Sequence, residues 1–226
     1  MDGGVVALEL LGVLVLGGAW LCSLATTLMS TWLTMCPDLL PTVTFELGLW
    51  EACVIHEGGT QGCQPHSSLL GLPPDIQLAR ILMCLSLAAG LLALLVAVPG
   101  MTGVKSCGER LRWKRALRTA GGALGLAAGV LGLAPVSYVA HLTVERFFDE
   151  SVPEVMPRWE FGDAMFCGWT AGVLHLLAGT LLLASGRCAG GDDWSRPAPV
   201  SAGYPKTRTG TGTRTGTRTS TRSECD

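Results

Sequence analysis

Apolar residues in this 226-residue chain gather in four blocks, roughly 5–29, 81–102, 117–140 and 164–185. Each block reaches about the 20 residues that a helix needs to cross hydrocarbon. Each is nearly free of charge, and a charge at mid-bilayer costs about 2.5–3.5 kcal/mol on insertion scales. Backbone groups in lipid must be satisfied within their own segment. The pattern therefore predicts a mainly α membrane protein with four transmembrane helices. Two charged residues interrupt it. Glu9, near the start of the first block, is placed to snorkel to the interface, and Arg118 stands at the start of the third. The first block lacks a basic n-region and is too long for a typical signal-peptide core, so it reads as an uncleaved span.

Residues 30–80 form the longer segment between spans. Val43, Phe45, Leu47 and Leu49 alternate there with Thr42, Thr44, Glu46 and Gly48, the mark of a half-buried strand. A second run, Trp50 to His56, leads into Glu57-Gly58-Gly59-Thr60, a turn composition. A return strand through Cys63 sets Cys53 and Cys63 across a hairpin. Ser67 to Leu72 suits one short helical turn, stopped by Pro73-Pro74. Trp32 and Trp50 read as anchors at the boundary between sheet and membrane. In the shorter segment 141–163, Phe147 and Phe148 are adjacent aromatics in an acidic stretch. They suit either packing on the sheet or a contact surface. Pro153 and Pro157 oppose a continuous helix through this segment. In the third span Gly121, Gly125 and Gly129 recur every four residues, a spacing that lets helices approach closely. Packing inside one bundle is the simpler reading, and Pro135 is expected to bend this span. From 189 to 226 the tail is rich in Thr, Arg and Gly. It holds too little apolar surface to fold and is expected to be disordered.

Charge sets the expected orientation. The loop 103–116 and the first turn of the next span carry Lys105, Arg110, Arg112, Lys114, Arg115 and Arg118 against Glu109. The chain after 185 holds seven basic residues and four acids. By the positive-inside rule both are cytoplasmic, with the N- and C-termini. Residues 30–80 hold five acids and one base, and 141–163 six acids and two bases, so both face outward. The net charge of −2 hides this division. The basic inner loop also suits anionic membrane lipid. An oxidising exterior allows Cys53 and Cys63 to be bridged, which contributes about 2–3 kcal/mol for so short a loop. Cys36 is the odd thiol on that side, free or paired between chains. Cys22, Cys84 and Cys167 read as packing residues within spans. Cys107 and Cys188, just past the inner ends of spans, are candidates for palmitoylation. The chain has no asparagine and so no N-glycosylation acceptor.

Catalytic patterns are missing. His56, His66, His141 and His175 are scattered, with no metal-ligand spacing. There is no GxSxG, HExxH, P-loop or dinucleotide turn. His175, inside the fourth span, suits a polar contact between helices. The composition implies neither an enzyme, nor a cofactor, nor a nucleic-acid partner.

Taken together, these residues resemble the claudin family. The shared string is Trp32, then Gly48-Leu49-Trp50, Cys53 and Cys63. Further likenesses are Ser68-Leu69-Leu70-Gly71-Leu72-Pro73, Gln77-Leu78-Ala79-Arg80, Pro135-Val136-Ser137, Phe147 with Val152-Pro153-Glu154, Glu160-Phe161-Gly162 and Gly168-Trp169. They run in order over about 1–188, a claudin-like domain. The resemblance implies a left-handed four-helix transmembrane bundle carrying a small, five-stranded antiparallel extracellular sheet. It implies tight-junction strands built from identical or other claudins in the same and apposed membranes. Cys53 and Cys63 then match the disulfide pair, and Trp32, Gly48, Leu49, Trp50 and Arg80 the anchoring motif. Leu69 matches an apolar knob, and Phe147 and Phe148 its receiving pocket on a neighbour. His56, Glu57, Gln64 and His66 are the candidate pore-lining residues.

Two departures qualify the likeness. Many claudins end in a short hydrophobic motif that binds PDZ scaffolds. The ending Glu224-Cys225-Asp226 fits such a groove poorly, which requires an apolar terminal side chain. Family charge selectivity depends on residues just after the second cysteine, and Gln64-Pro65-His66 carries no fixed charge. The expected function is a junction protein setting paracellular permeability, as a barrier or a weakly cation-preferring path. Two alternatives come from related four-span proteins: an auxiliary subunit of a channel or receptor, and a growth-arrest or myelin-type membrane protein.

Overall fold

A computed structural model describes residues 3–36, 43–56, 58, 60–66, 73–101, 111–148 and 158–188. Four helices carry the apolar blocks: α1 (Gly3–Leu28), α2 (Pro74–Ala97), α3 (Leu111–Phe147) and α4 (Asp163–Cys188). All four are long and apolar enough to span a membrane. Boundaries shift where hydropathy is silent. Helix α2 starts before its apolar block because Pro74 sits in the first turn, where its missing N–H costs nothing. Helix α3 runs on through His141–Phe147. At 1.5 Å per residue its 37 residues span about 55 Å, well beyond a hydrocarbon core of about 30 Å. Pro135 lies inside this helix and is fully buried.

Strands β1 (Leu33–Met35), β2 (Val43–Leu47), β3 (Glu51–His56), β4 (Gln61–Pro65) and β5 (Glu160–Phe161) form one antiparallel sheet in the order β4-β3-β2-β1-β5. The alternating stretch before Gly48 is β2, and it lies at the centre of the sheet. Its register with β3 pairs Phe45 with Val54 and Glu46 with Cys53. The short strand β5 brings the segment after α3 back to the one after α1 by pairing Leu33 with Phe161. Fold and family likeness thus agree on four helices and five strands.

Two buried clusters hold the helices together. One, nearer the sheet, joins Trp32, Leu49, Ala79, Met83, Val136, Val139, Ala164 and Met165. The other, further along the bundle, gathers Leu16, Ala93, Ala97, Ala178 and Leu182. Small residues let the helix backbones approach. A Cβ on Gly122 would lie 2.9 Å from the Gly179 carbonyl oxygen, and one on Gly179 would lie 2.8 Å from that of Gly122. Gly121 meets Ala97, Gly125 meets Leu16, and Gly129 meets Leu176. The glycine seam of α3 is therefore spent within one chain. Polar groups are satisfied across the same contacts, with Trp20 Nε1 donating to the Leu87 carbonyl (3.1 Å) and Ser86 Oγ to that of Ala128 (2.8 Å).

Glu9 does not snorkel. It is 1% exposed and forms an ion pair with Arg118, which is equally buried. The partner stands 109 residues away in the sequence, so local hydropathy gives no sign of it. His175 also differs from expectation. Its Nδ1 contacts the Ala171 carbonyl of its own helix (2.9 Å), while Nε2 lies toward Gly90 of α2 without a hydrogen-bond partner.

Removing one member of a buried ion pair costs about 3–5 kcal/mol. Glu9→Gln and Arg118→Gln should each lower the unfolding midpoint in detergent sharply. The double variant should lose much less than the sum of the two single losses. Strict additivity would show that the two charges are not coupled. Gly179→Val should also destabilise, by about 1–3 kcal/mol in the same melt, because the facing backbone of α3 cannot yield to overpacking.

Candidate functional site

The sheet meets the bundle through the end of α1. A helix leaves its last carbonyls without intrahelical donors. The Ala25 carbonyl receives the Met29 N–H (2.9 Å). The next two receive indoles: Trp32 Nε1 donates to Thr26 O and Trp50 Nε1 to Thr27 O, both at 2.8 Å. Both threonine hydroxyls turn back one turn, to Cys22 O and Ser23 O, so they do not compete for these donors. The Leu49 carbonyl accepts from Arg80 Nε of α2, whose guanidinium lies 5.0 Å from the Trp50 ring centroid. The expected anchors Trp32, Leu49, Trp50 and Arg80 are thus brought together by α1, α2 and the β2–β3 turn.

Two glycines make the join close enough. A Cβ on Gly48 would come within 2.6 Å of Ser30 Cα, and one on Gly162 would collide with the Thr31 carbonyl oxygen. Gly162 N–H donates to the Trp32 carbonyl (3.0 Å) and Ala164 N–H to that of Thr31 (3.1 Å). The start of α4 is therefore stitched to the same Thr31–Trp32 step.

Further out, Cys53 and Cys63 face each other in the β3–β4 ladder and form a disulfide, with Cα atoms 4.1 Å apart. Beside them lies Glu51, and its carboxylate and the two sulfurs lie within 4.8 Å of one another. The bridge removes both thiolates, so this trio is no metal centre. Strand β4 is exposed along its whole length and forms one edge of the sheet. His56 and Gln64 are open to solvent there. His66 is different: it is half-buried, its N–H donates to the Trp50 carbonyl (3.0 Å), and its Nε2 is shielded without a partner. Glu57, Leu69, Cys107 and the Glu224-Cys225-Asp226 ending lie outside the described residues. Cys188 is the last residue of α4.

At the opposite edge of the sheet an apolar pocket of about 280 Å³ opens between the end of α3 and β5. Phe147, Phe148, Val144, Trp159 and Phe161 line it. Phe148 is 72% exposed. Arg158 fixes Phe147 from above, donating to its carbonyl and stacking 5.1 Å from its ring centroid. Asp75 of α2 ties down the same end of α3 through Arg146 (3.0 Å). Sequence reasoning named the two phenylalanines but missed Arg158, Trp159 and the Asp75–Arg146 pair. The adjacent aromatic and cationic residues at 158–161 were the available signal.

A sequence profile of the PMP-22/EMP/MP20/Claudin family matches residues 6–182, from α1 into α4. Claudin-3 of Rattus norvegicus is 34% identical over 213 residues, covering 90% of this chain and 94% of its own. The chain belongs to the claudin family. Claudin-7 of Mus musculus is 32% identical over 206 residues (89% and 95% covered), and Claudin-14 of Mus musculus 35% over 182 residues (79% and 75%). Membership makes this claudin a multi-pass membrane protein of tight junctions and not an enzyme. In the structure Trp32 and Trp50 cap α1, Gly48 lets the join close, and Arg80 holds the Leu49 carbonyl.

Trp32→Phe keeps an aromatic ring, though a smaller one, and deletes the donor. It should leave the Thr26 carbonyl unsatisfied at a cost of about 1–3 kcal/mol. Amide hydrogen exchange should quicken in β1–β3 while the four spans stay protected. Unchanged exchange in the sheet would show that the indole bond does not hold it.

Proposed function

We propose that this claudin assembles side by side in its own membrane and end to end with copies or relatives in the apposed membrane. The assembled rows wall a paracellular path. The observation that carries this reading is the apolar pocket at the β5 edge. It is open, aromatic and held rigid by Arg158 and the Asp75–Arg146 pair. Exposed apolar concavities mark interaction sites. An apolar side chain from the Leu69 segment of a neighbour has the chemistry to fill it. A knob on one surface and a pocket on another make a heterologous contact, which propagates into open rows.

The charge division supports the orientation that this assembly needs. The basic 103–116 loop and both termini are cytoplasmic, and the acidic 30–80 and 141–163 segments lie outside. Palmitoylation of Cys107 and Cys188 fits that inner side. Of the candidate pore-lining residues, His56, Gln64 and His66 carry no fixed charge and Glu57 is an acid. Selectivity then falls to the acidic excess of the outer segments, which favours cations mildly. We assign the protein a barrier or weakly cation-preferring role.

Expressed in cells that lack tight junctions, the protein should collect at cell contacts and form strands visible by freeze-fracture. The double variant Phe147→Ala/Phe148→Ala should reach the surface yet form far fewer strands. Diffuse staining of the unaltered protein, without strands, would instead favour an auxiliary-subunit role. In an epithelial monolayer, Cys53→Ser should leave the four spans inserted but abolish the change in transepithelial resistance. Dilution potentials across the same monolayer should show a modest sodium-over-chloride preference. A clear chloride preference would refute the charge assignment.

A further inference from the structure

Cys22 of α1 and Cys167 of α4 lie at opposite ends of the described chain, yet their thiols are hydrogen-bonded to each other. Both are free and half-buried. The packing of the two helices explains the meeting. Helices α1 and α4 run antiparallel, with Gly12 facing Leu182 toward one end and Thr26 facing Gly168 toward the other. A Cβ on Gly168 would lie 3.0 Å from the Thr26 methyl. Cys22 is one turn before Thr26 and its carbonyl accepts the Thr26 hydroxyl (2.9 Å). Cys167 is the residue before Gly168.

The pair lies toward the sheet. Cys22 is less than two turns from the end of α1 at Leu28, and Cys167 little more than one turn from the start of α4 at Asp163. On that side of the bundle the structure already holds one disulfide, Cys53–Cys63. Bridged cysteines belong to an oxidising compartment, so the oxidants that serve the sheet also meet this end of the bundle. The contact sits where a link would matter. Thr26, bonded to Cys22, is the residue whose carbonyl receives the Trp32 indole. Ala164, one turn before Cys167, donates its N–H to the Thr31 carbonyl. A covalent tie here holds the end of α1 to the start of α4 directly beneath the seat of the sheet.

We propose that Cys22 and Cys167 are a redox pair, which a disulfide compound of the sheet-side compartment converts to a second intramolecular disulfide. One cysteine, as thiolate, attacks a sulfur of the oxidant, forming a mixed disulfide and releasing one thiol. The other then attacks the protein sulfur of that mixed disulfide and releases the second thiol. One S–S bond forms in the protein and one is lost from the oxidant. The two cysteines give up two electrons and two protons, and the oxidant becomes two thiols. The other free cysteines of the described residues are placed differently: Cys36 contacts Thr44 Oγ1 (3.6 Å), and Cys84 is exposed on α2. Oxidised, the pair clamps α1 to α4; reduced, it leaves only packing between them. The proposal does not depend on strand formation or on the pore.

The full-length protein in detergent tests it, equilibrated with mixtures of reduced and oxidised glutathione, alkylated with N-ethylmaleimide and digested without reduction. A peptide joining Cys22 to Cys167 should accumulate in the mass spectrum as the oxidised share rises, and should vanish with dithiothreitol. The unfolding midpoint should rise by about 5 °C or more with the bridge, because a long loop is closed. Cys22→Ala keeps Cys53 and Cys63 and should lose both the linked peptide and that rise; Cys167→Ala repeats the test from the other helix. The peptide map of the unaltered protein decides the pairing even where a variant fails to fold. Separate alkylation or glutathionylation of Cys22 and Cys167 in every mixture would overturn the proposal, as would a link from either one to Cys36 or Cys84. A Cys22–Cys167 bridge that left the midpoint unmoved would overturn the clamp.

Discussion

Two indole N–H groups at the end of α1 decide how the sheet of this protein stands on its helix bundle. The Thr26 and Thr27 carbonyls belong to the last turn of a membrane helix, where water is scarce and the helix supplies no donor. Trp32 and Trp50 provide those donors from the sheet. A hydrogen bond in such a low-dielectric setting is strong when made and costly when missing. The sheet is thus attached by the same bonds that terminate the helix. Arg80 adds a third point from α2 through the Leu49 carbonyl, and Gly162 a fourth by bringing the start of α4 against Thr31. Four elements meet within a few residues of Trp32. Displacing the sheet would break contacts to three helices together.

The bundle has a matching constraint further from the sheet. Glu9 and Arg118 tie α1 to α3 through a buried ion pair. Such a pair contributes little net stability compared with apolar side chains of equal size, but it tolerates few alternative registers. With the indole bonds near one end of α1 and the ion pair near the other, the helix is held in both depth and rotation. That fixes where its terminal carbonyls present themselves, and so where the sheet sits.

Much of this was legible in the sequence, and the illegible parts share a cause. The four spans followed from run length, and β2 from alternation over Thr42–Gly48, since both signals are carried by consecutive residues. Strands β1 and β5, of three and two residues, are too short to show a period. They exist because tertiary pairing selects them. Strand β4 reads Gln-Gly-Cys-Gln-Pro and has no buried face, so it was legible only as the return arm of the hairpin, through the turn residues before it and Cys63. The continuation of α3 to Phe147 was hidden because His141, Glu145 and Arg146 end the apolar run without ending the helix. Glu9 was misread for the same reason. A lone carboxylate near a span end looks interfacial until a partner 109 residues away is brought beside it. At the candidate site Trp32 and Trp50 could be named from the residues and the other anchors from the family resemblance, whereas the Asp75–Arg146 pair could not, because it depends on where two separate helix ends come to lie.

The packing of α3 bears on where any self-association must occur. A row of glycines on a membrane helix is often a dimer seam, since it lets two backbones approach. Here Gly121, Gly122, Gly125 and Gly129 each face α1, α2 or α4 of the same chain. What remains toward lipid is bulky, including Leu14, Leu21, Leu92, Leu95, Val130 and Leu177. Such surfaces gain little from meeting one another in hydrocarbon, where lipid tails serve equally well. The aqueous side is different, because burying apolar surface from water is favourable at roughly 25 cal/mol per Å². An aromatic pocket at one edge of the sheet and an uncovered strand at the other are therefore the surfaces with a driving force to associate. Assembly of this chain is expected to be governed from the water side of the membrane, with the bundle setting the angle at which neighbouring sheets meet.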